Sequence, residues 1–475
     1  MGMMLQAALA DELGQLLPET KYLLLRIVQR MEAGLPISAP SRPLAQLVAL
    51  NERKVSKALQ ELLAAGILKR AAEPKNAPGR PVSSYRLTAA YRHALRSRNE
   101  LKSVHSAAIE ELLKHERSRE LALQGEQIYT NPYAIGSIEA ARALRTTGQL
   151  TVVNRLVLAV MLSRADRFGR VCMSRLELSR LTGLTTTKLK HRIGTLLDAG
   201  LIRAHVPGAT GTLLFKKTAS VYFLNLNRPE LGLGTGGPTL LVSVANYDPI
   251  NTHNQTDLIF LAARQKAWRL SSRGVLGFFV PKHEVRIRYL FQSNLDRYAG
   301  YLLSNYWGAE RDNASELSKV IKMDLFERQL GEQEFPTIDD RHLLVEYLSE
   351  EAVRLANNFK SDWFERRYPS ILGFDFCAME YVFLPLTKAE IETGESFYPS
   401  RAVLALPRDG SVAKPELYIT ESVPVTGDMN QKIMRHVTDP ETLPSEEQGL
   451  YGLRSRSKMR VRVAPNGELK WVKKA

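Results

Sequence analysis

Cysteine is nearly missing: 475 residues hold two, Cys172 and Cys377. That excludes a disulfide framework and a four-thiolate zinc site, and it fits a reducing compartment. No uninterrupted apolar run reaches the ~18 residues of a membrane span, so none is expected. The opening MGMMLQAALADELGQLL meets Asp11 and Glu12 early and has no basic front, so no secretory leader is expected and the cytoplasm is the expected location. Compositional extremes are missing as well. Apolar residues make up 44% and charged residues 24%, which excludes a mainly disordered chain, a collagen and a coiled-coil rod. The length fits roughly two to four domains.

Positive charge is in excess, and it is unevenly spread. Residues 1–226 carry 33 Lys and Arg against 17 Asp and Glu, while residues 227–475 carry 32 against 33. A basic first half beside a neutral second half points to a polyanionic partner for the first.

Two segments repeat at an offset of 134 residues. The first is PLAQLVALNERKVSKALQELLAAGILKR, residues 43–70. The second is ELSRLTGLTTTKLKHRIGTLLDAGLIRA, residues 177–204. Nine apolar positions coincide without a gap, and Ala65-Gly66 falls on Ala199-Gly200. Within each copy, Val55, Leu59, Leu62 and Leu63, or Leu189, Ile193, Leu196 and Leu197, follow the spacing of one helical face. Asn51 and Thr185 suit the start of that helix. Gly66 and Gly200 suit its left-handed end. A shorter helix is expected before each, at 41–48 and 174–182, and a longer apolar one before that, KYLLLRIVQRM or TVVNRLVLAVMLSRA. Two short helices joined by a tight turn form a helix-turn-helix. Strand-like pieces then flank the loop AAEPKNAPGRPV in the first copy and a loop holding PGATGT in the second.

This order resembles the winged-helix DNA-binding domains, and PGRPVSSYRLT is similar to the wing and closing strand of bacterial winged-helix regulators. The second copy departs from that pattern, with a longer wing and no Gly-Arg-Pro. The resemblance implies an α+β chain: winged-helix domains at 15–90 and 148–226, a helical linker at 91–147, and a larger mixed domain at 239–475 ending in a basic tail. It also implies double-stranded DNA as the partner, and a fold family in which some modules bind protein or only dimerise.

A helix laid in the major groove reads base edges with one face and buries the other. The polar face of the first helix offers Arg53, Lys54 and Lys57, together with Asn51, Ser56 and Gln60. The second offers Thr185, Thr187, Lys188, Lys190, His191 and Arg192, with Thr186 and Thr195 beside them. The second has no acid before Asp198, whereas Glu52 and Glu61 intrude on the first. On the wings, the resemblance assigns phosphate or minor-groove contacts to Lys75 and Arg80 and to Lys216 and Lys217. Two such modules are expected to meet sites about one helical turn apart, near 34 Å. A single chain would then read an asymmetric site, and a homodimer a longer palindrome.

Residues 91–125 are charged with a helical rhythm, and are read as a spacer or a self-association element, or as a solvated connecting helix. The glycine-rich ELGLGTGGP, residues 230–238, lacks a P-loop ending and reads as a domain boundary. Beyond it, strands are expected at TLLVSVANY, GVLGFFV, EYVFLPL and RAVLALP, and helices near 257–270, 283–305, 313–330 and 341–358. Asn466-Gly467 marks a hairpin. His253, His283, His342 and His436 are scattered without metal-ligand spacing, so neither metal, cofactor nor catalytic constellation is expected. Cys377, in the apolar run GFDFCAMEYVF, is expected to be buried. Residues 454–474 hold eight basic side chains against Glu468 alone, either to grip phosphates or to fold against residues 227–453, net −8. Three readings stay open: a transcription regulator whose second half senses a protein or small molecule, a replication initiator of a plasmid or integrated mobile element, and an enzyme carried to DNA. The regulator-like wing favours the first.

Overall fold

The computed structural model describes the chain apart from residues 33–43, 72–83, 115–149, 209–217, 232–239, 246–283, 325–337, 361–374 and shorter stretches. The architecture mixes helix and sheet. Contacts divide the chain into two compact units, Met1–Ile202 with Leu224–Thr235, and Arg203–Phe223 with Gly236–Ala475.

The first unit opens with α1 (Met3–Leu9) and α2 (Pro18–Glu32), then α3 (Glu52–Ala64), the pair β1 (Leu68–Ala71) and β2 (Ser84–Leu87), α4 (Ala89–Ser97) and α5 (Ser106–Leu113). It continues with α6 (Val152–Ser163), β3 (Arg170–Met173), α7 (Arg175–Thr182) and α8 (Thr186–Asp198). Strands β4 (Ile202–Val206) and β5 (Ser220–Leu224) follow in the chain, with Arg203–Phe223 counted in the second unit.

The repeat is reproduced at α3 and α8. Helices α3 and α8 each have 13 residues and sit 134 positions apart. Asn51 caps α3 by accepting from Lys54 N–H, and Thr185 caps α8 by accepting from Lys188 N–H. Each helix ends on a glycine with positive φ, +67° at Gly66 and +71° at Gly200. At each end the second residue beyond the helical cap turns back: Ile67 N–H donates to Leu62 O, and Leu201 N–H to Leu196 O, both at 3.0 Å. The closing strand then ties to that glycine. Thr88 Oγ1 donates to Gly66 O at 2.9 Å, and Asn225 Nδ2 to Gly200 O at 3.0 Å. Thr88 and Asn225 are 137 apart, so the second hairpin loop is longer by three residues. The expected helix at 41–48 lies largely outside the described residues, although Leu44, Ala45 and Val48 are buried. Its counterpart α7 is capped by Ser174, which accepts from Glu177 N–H.

Within the connecting segment, α5 does not stand in solvent, whereas α4 is mostly exposed apart from Leu95. Ala108, Ile109, Leu112 and Leu113 of α5 are buried, and Tyr22 of α2 donates its hydroxyl to Leu113 O at 2.9 Å. Charged residues dominate the string, but the apolar ones share a face and that face decides its placement. Tyr91 of α4 donates to Asp11 at 3.1 Å, which fixes α4 near α1. His105 is fully buried, and burial lowers its pKa, so the neutral ring donates from Nε2 to Asp166 O at 2.7 Å.

In the second unit, β6 (Leu240–Ala245), β7 (Met379–Phe383), β10 (Ser400–Pro407), β11 (Glu416–Pro424) and β12 (Asn430–Val437) make a five-stranded sheet in the order β12-β11-β6-β10-β7. All its pairings are antiparallel except β11 with β6. A second sheet, β14-β13-β8-β9, joins β8 (Ala389–Ile391), β9 (Ser396–Phe397), β13 (Met459–Val463) and β14 (Leu469–Lys473). The β13–β14 pair is antiparallel, as the Asn-Gly signal predicts, while the turn itself lies outside the described residues. Helices α9 (Glu284–Asn305), α10 (Ala314–Lys322), α11 (Ile338–Lys360) and α12 (Ser445–Leu450) complete the unit. Helix α9 lies on β7 because Gly300 leaves room: a Cβ there would stand 2.8 Å from Tyr381 O. One turn later, Ser304 Oγ accepts from Tyr381 N–H at 2.8 Å.

Two expectations fail here. Cys377 is exposed, because the chain around it forms a 3-10 turn capped by Asp375 before β7 begins. Strands β11 and β12 were not expected, because polar residues in ELYITESVP and NQKIMRHV break up the apolar runs used to find the others. The strand expected at GVLGFFV and the helix at 257–270 lie outside the described residues.

Candidate nucleic-acid interface

Helix α3 buries Val55, Ala58, Leu59 and Leu62. That packing turns Arg53, Lys54, Lys57 and Gln60 to solvent. Helix α8 buries Leu189, Ile193 and Leu196. Thr185, Thr187, Lys188, Lys190 and His191 are exposed and Arg192 is half-buried. The 3.6-residue period of each helix sorts cations from core without further help. Arg80, Lys75, Lys216 and Lys217 lie outside the described residues.

The acids that intrude on α3 are partly withdrawn. Glu61 accepts from Thr20 Oγ1 at 2.6 Å and from Leu17 N–H at 3.4 Å, so it holds the start of α2. Glu52 stays exposed in the first turn, a favourable place for a carboxylate. Thr195 of α8 donates its hydroxyl to His191 O at 3.1 Å, one turn back along the helix.

Three residues with contacts near the candidate interface or within the second unit escaped the sequence reading. Glu19, in the first turn of α2, takes Lys54 Nζ at 2.9 Å. Burial alone pushes the Glu19 carboxyl up. The Lys54 hydrogen bond, a backbone N–H and the charges of Lys54 and Lys188 outweigh burial and hold it below its ordinary value. Lys21, two residues further, is 4% exposed. Its ammonium donates to Leu181 O at 3.1 Å and to Arg180 O, at the end of α7. Burial lowers its pKa to about 8 against the opposing pull of Asp11 and Glu12. The repeat places Lys21 on Arg155, and Arg155 does the same work, donating to Leu150 O and Leu112 O. The only signal in the sequence was a lysine inside an apolar run.

The third is Arg203 of β4, 2% exposed. It donates to Leu453 O at 3.2 Å and meets Glu441 at 3.4 Å. The repeat aligns it with Lys69, which is exposed. Strand β4 is therefore buried on both faces near its start, while β1 keeps a free face.

Elsewhere, among the described residues, no group of three His, Cys, Asp or Glu is placed to hold a metal ion. No described helix is long and apolar enough to cross a membrane. An open groove of about 750 Å³ between α10 and α11 is lined by Ser318, Lys322, His342, Glu346 and Arg354, among others. Its mixed charges carry no catalytic geometry. Searches against family models, curated proteins and solved structures return no match to this chain.

Proposed function

We propose that the chain binds double-stranded DNA through two winged-helix modules, with α3 and α8 as recognition helices, and acts as a transcription regulator. The observation that carries the reading is α8: a helix with one buried apolar face and Thr187, Lys188, Lys190 and His191 exposed on the other. Its exposed face carries no acid before its last residue. Hydroxyls and cations together suit phosphates, and Lys and Arg suit guanine edges. The matching caps and glycine ends of α3 support a duplicated module.

The regulator role rests on the similarity of PGRPVSSYRLT to regulator wings. A replication initiator is the second reading, favoured by the presence of two helix-turn-helix copies in one chain. An initiator would bind tandem repeats near an origin, whereas a regulator would bind upstream of its own gene or a neighbouring one. Genome-wide footprinting separates them. The binding claim is tested by a mobility-shift titration of the variant with Lys188, Lys190 and Arg192 all replaced by Ala. Loss of the specific complex with an unchanged circular-dichroism spectrum is expected. Wild-type affinity would remove α8 from the interface.

A further inference from the structure

The six residues Leu16–Lys21 touch both copies of the repeat. On one side, Glu19 holds Lys54, and Thr20 and Leu17 hold Glu61 of α3. On the other, Lys21 grips the last carbonyls of α7. Leu16 O packs so tightly on the α7–α8 turn that a Cβ at Gly183 would stand 2.3 Å from it. Glu12, upstream, lies 3.8 Å from Arg180. Lys54 and Lys188 are equivalent in the repeat, each the third residue of its helix.

The strap sets a distance. Leu16 and Glu19 are three residues apart, at most ~10 Å even if extended. Adding side-chain reach, Lys54 Nζ and the start of α8 lie on the order of 20 Å apart or less. Half-sites in successive major grooves need about 34 Å.

Resting on the proposed duplex binding, we infer that α3 and α8 form one interaction surface for a single uninterrupted stretch of duplex about one turn long. On that surface Glu19 occupies the place of a backbone phosphate, and binding displaces its carboxylate from Lys54. Glu19 restrains Lys54 directly, and the charge of Lys188 is felt at the same carboxylate. The surface then differs from two independent readers joined by a linker: shortening the duplex to one turn leaves it intact.

The test is fluorescence anisotropy of the full chain with random-sequence duplexes of about 12 and 24 base pairs, at low salt. Affinity per available site is expected to agree within about threefold between the two lengths. Glu19→Gln should bind both about fivefold more tightly, the most an exposed ion pair of this kind withholds. The gain should vanish when Lys54 and Lys188 are both replaced by Ala. Glu19→Asp keeps the charge and serves as the control for folding, with affinity near wild type. Binding to 24 but not 12 base pairs, or Glu19→Gln at wild-type affinity, overturns the shared surface and leaves duplex binding standing. No binding by wild type to either duplex overturns duplex binding itself.

Discussion

Lys21 links stability to pH in a window where few other groups act. Its ammonium is 4% exposed and sits on two carbonyls of α7. Burial brings its pKa from 10.5 to about 8. Because the folded value is lower, the folded chain releases the proton first. Below pH 8 both states hold it, and the folded state bears the whole cost of burying a charge. Between pH 8 and 10.5 the unfolded chain holds more protons, so stability rises with pH. The difference between the folded and unfolded values corresponds to a ceiling of about 3 kcal/mol, at roughly 1.4 kcal/mol for each tenfold change in proton affinity. Between pH 7.5 and 9.5 about 2 kcal/mol of that is realised. Tyr91, whose pKa is raised by burial and by Asp11, pulls the other way only as the unfolded value near 10 is approached. The assay is urea unfolding followed by helical circular dichroism at pH 7.5, 8.5 and 9.5. Wild type should gain stability across the series and Lys21→Met should not. Equal slopes in the two proteins would refute the reasoning.

Other substitutions test the fold around the interface. Gly183→Ala adds a Cβ 2.3 Å from Leu16 O at φ +70°, whereas Gly66→Ala, at φ +67°, meets nothing within 4 Å. The first should cost upwards of about 3 kcal/mol and the second about 1 kcal/mol, the left-handed penalty alone. Comparable melting temperatures would contradict the contact between the strap and the α7–α8 turn. Arg203→Ala should cost about 2–4 kcal/mol, because Leu453 O and Glu441 lose a buried donor, whereas Lys69→Ala at the equivalent position should change a denaturation midpoint little.

The fold was legible where one chemical rule governs. The 3.6 spacing of Val55, Leu59 and Leu62, the capping of Asn51 and Thr185, and the glycine ends located α3 and α8 to the residue. The cations of α8 were legible for the same reason, since a helix that buries Leu189 and Ile193 must expose Lys188 and Lys190. What failed depends on tertiary partners. The roles of Lys21 and Arg203 depend on carbonyls far away in sequence. Glu19 carries no sequence signal, because its partner Lys54 stands 35 residues away. The connecting helix α5 read as solvated because its four buried apolar residues are diluted by charged neighbours in the string.

The central claim is that α8 meets a polyanion, and salt titration of duplex affinity tests it most directly. If about six to ten phosphates are neutralised, wild-type affinity should fall by about three to five decades between 50 and 200 mM salt. Replacing Lys188, Lys190 and Arg192 with Ala should flatten the logarithmic slope by about two to three units, close to one per cation removed. A wild-type slope near zero, or an unchanged slope in the variant, would contradict it.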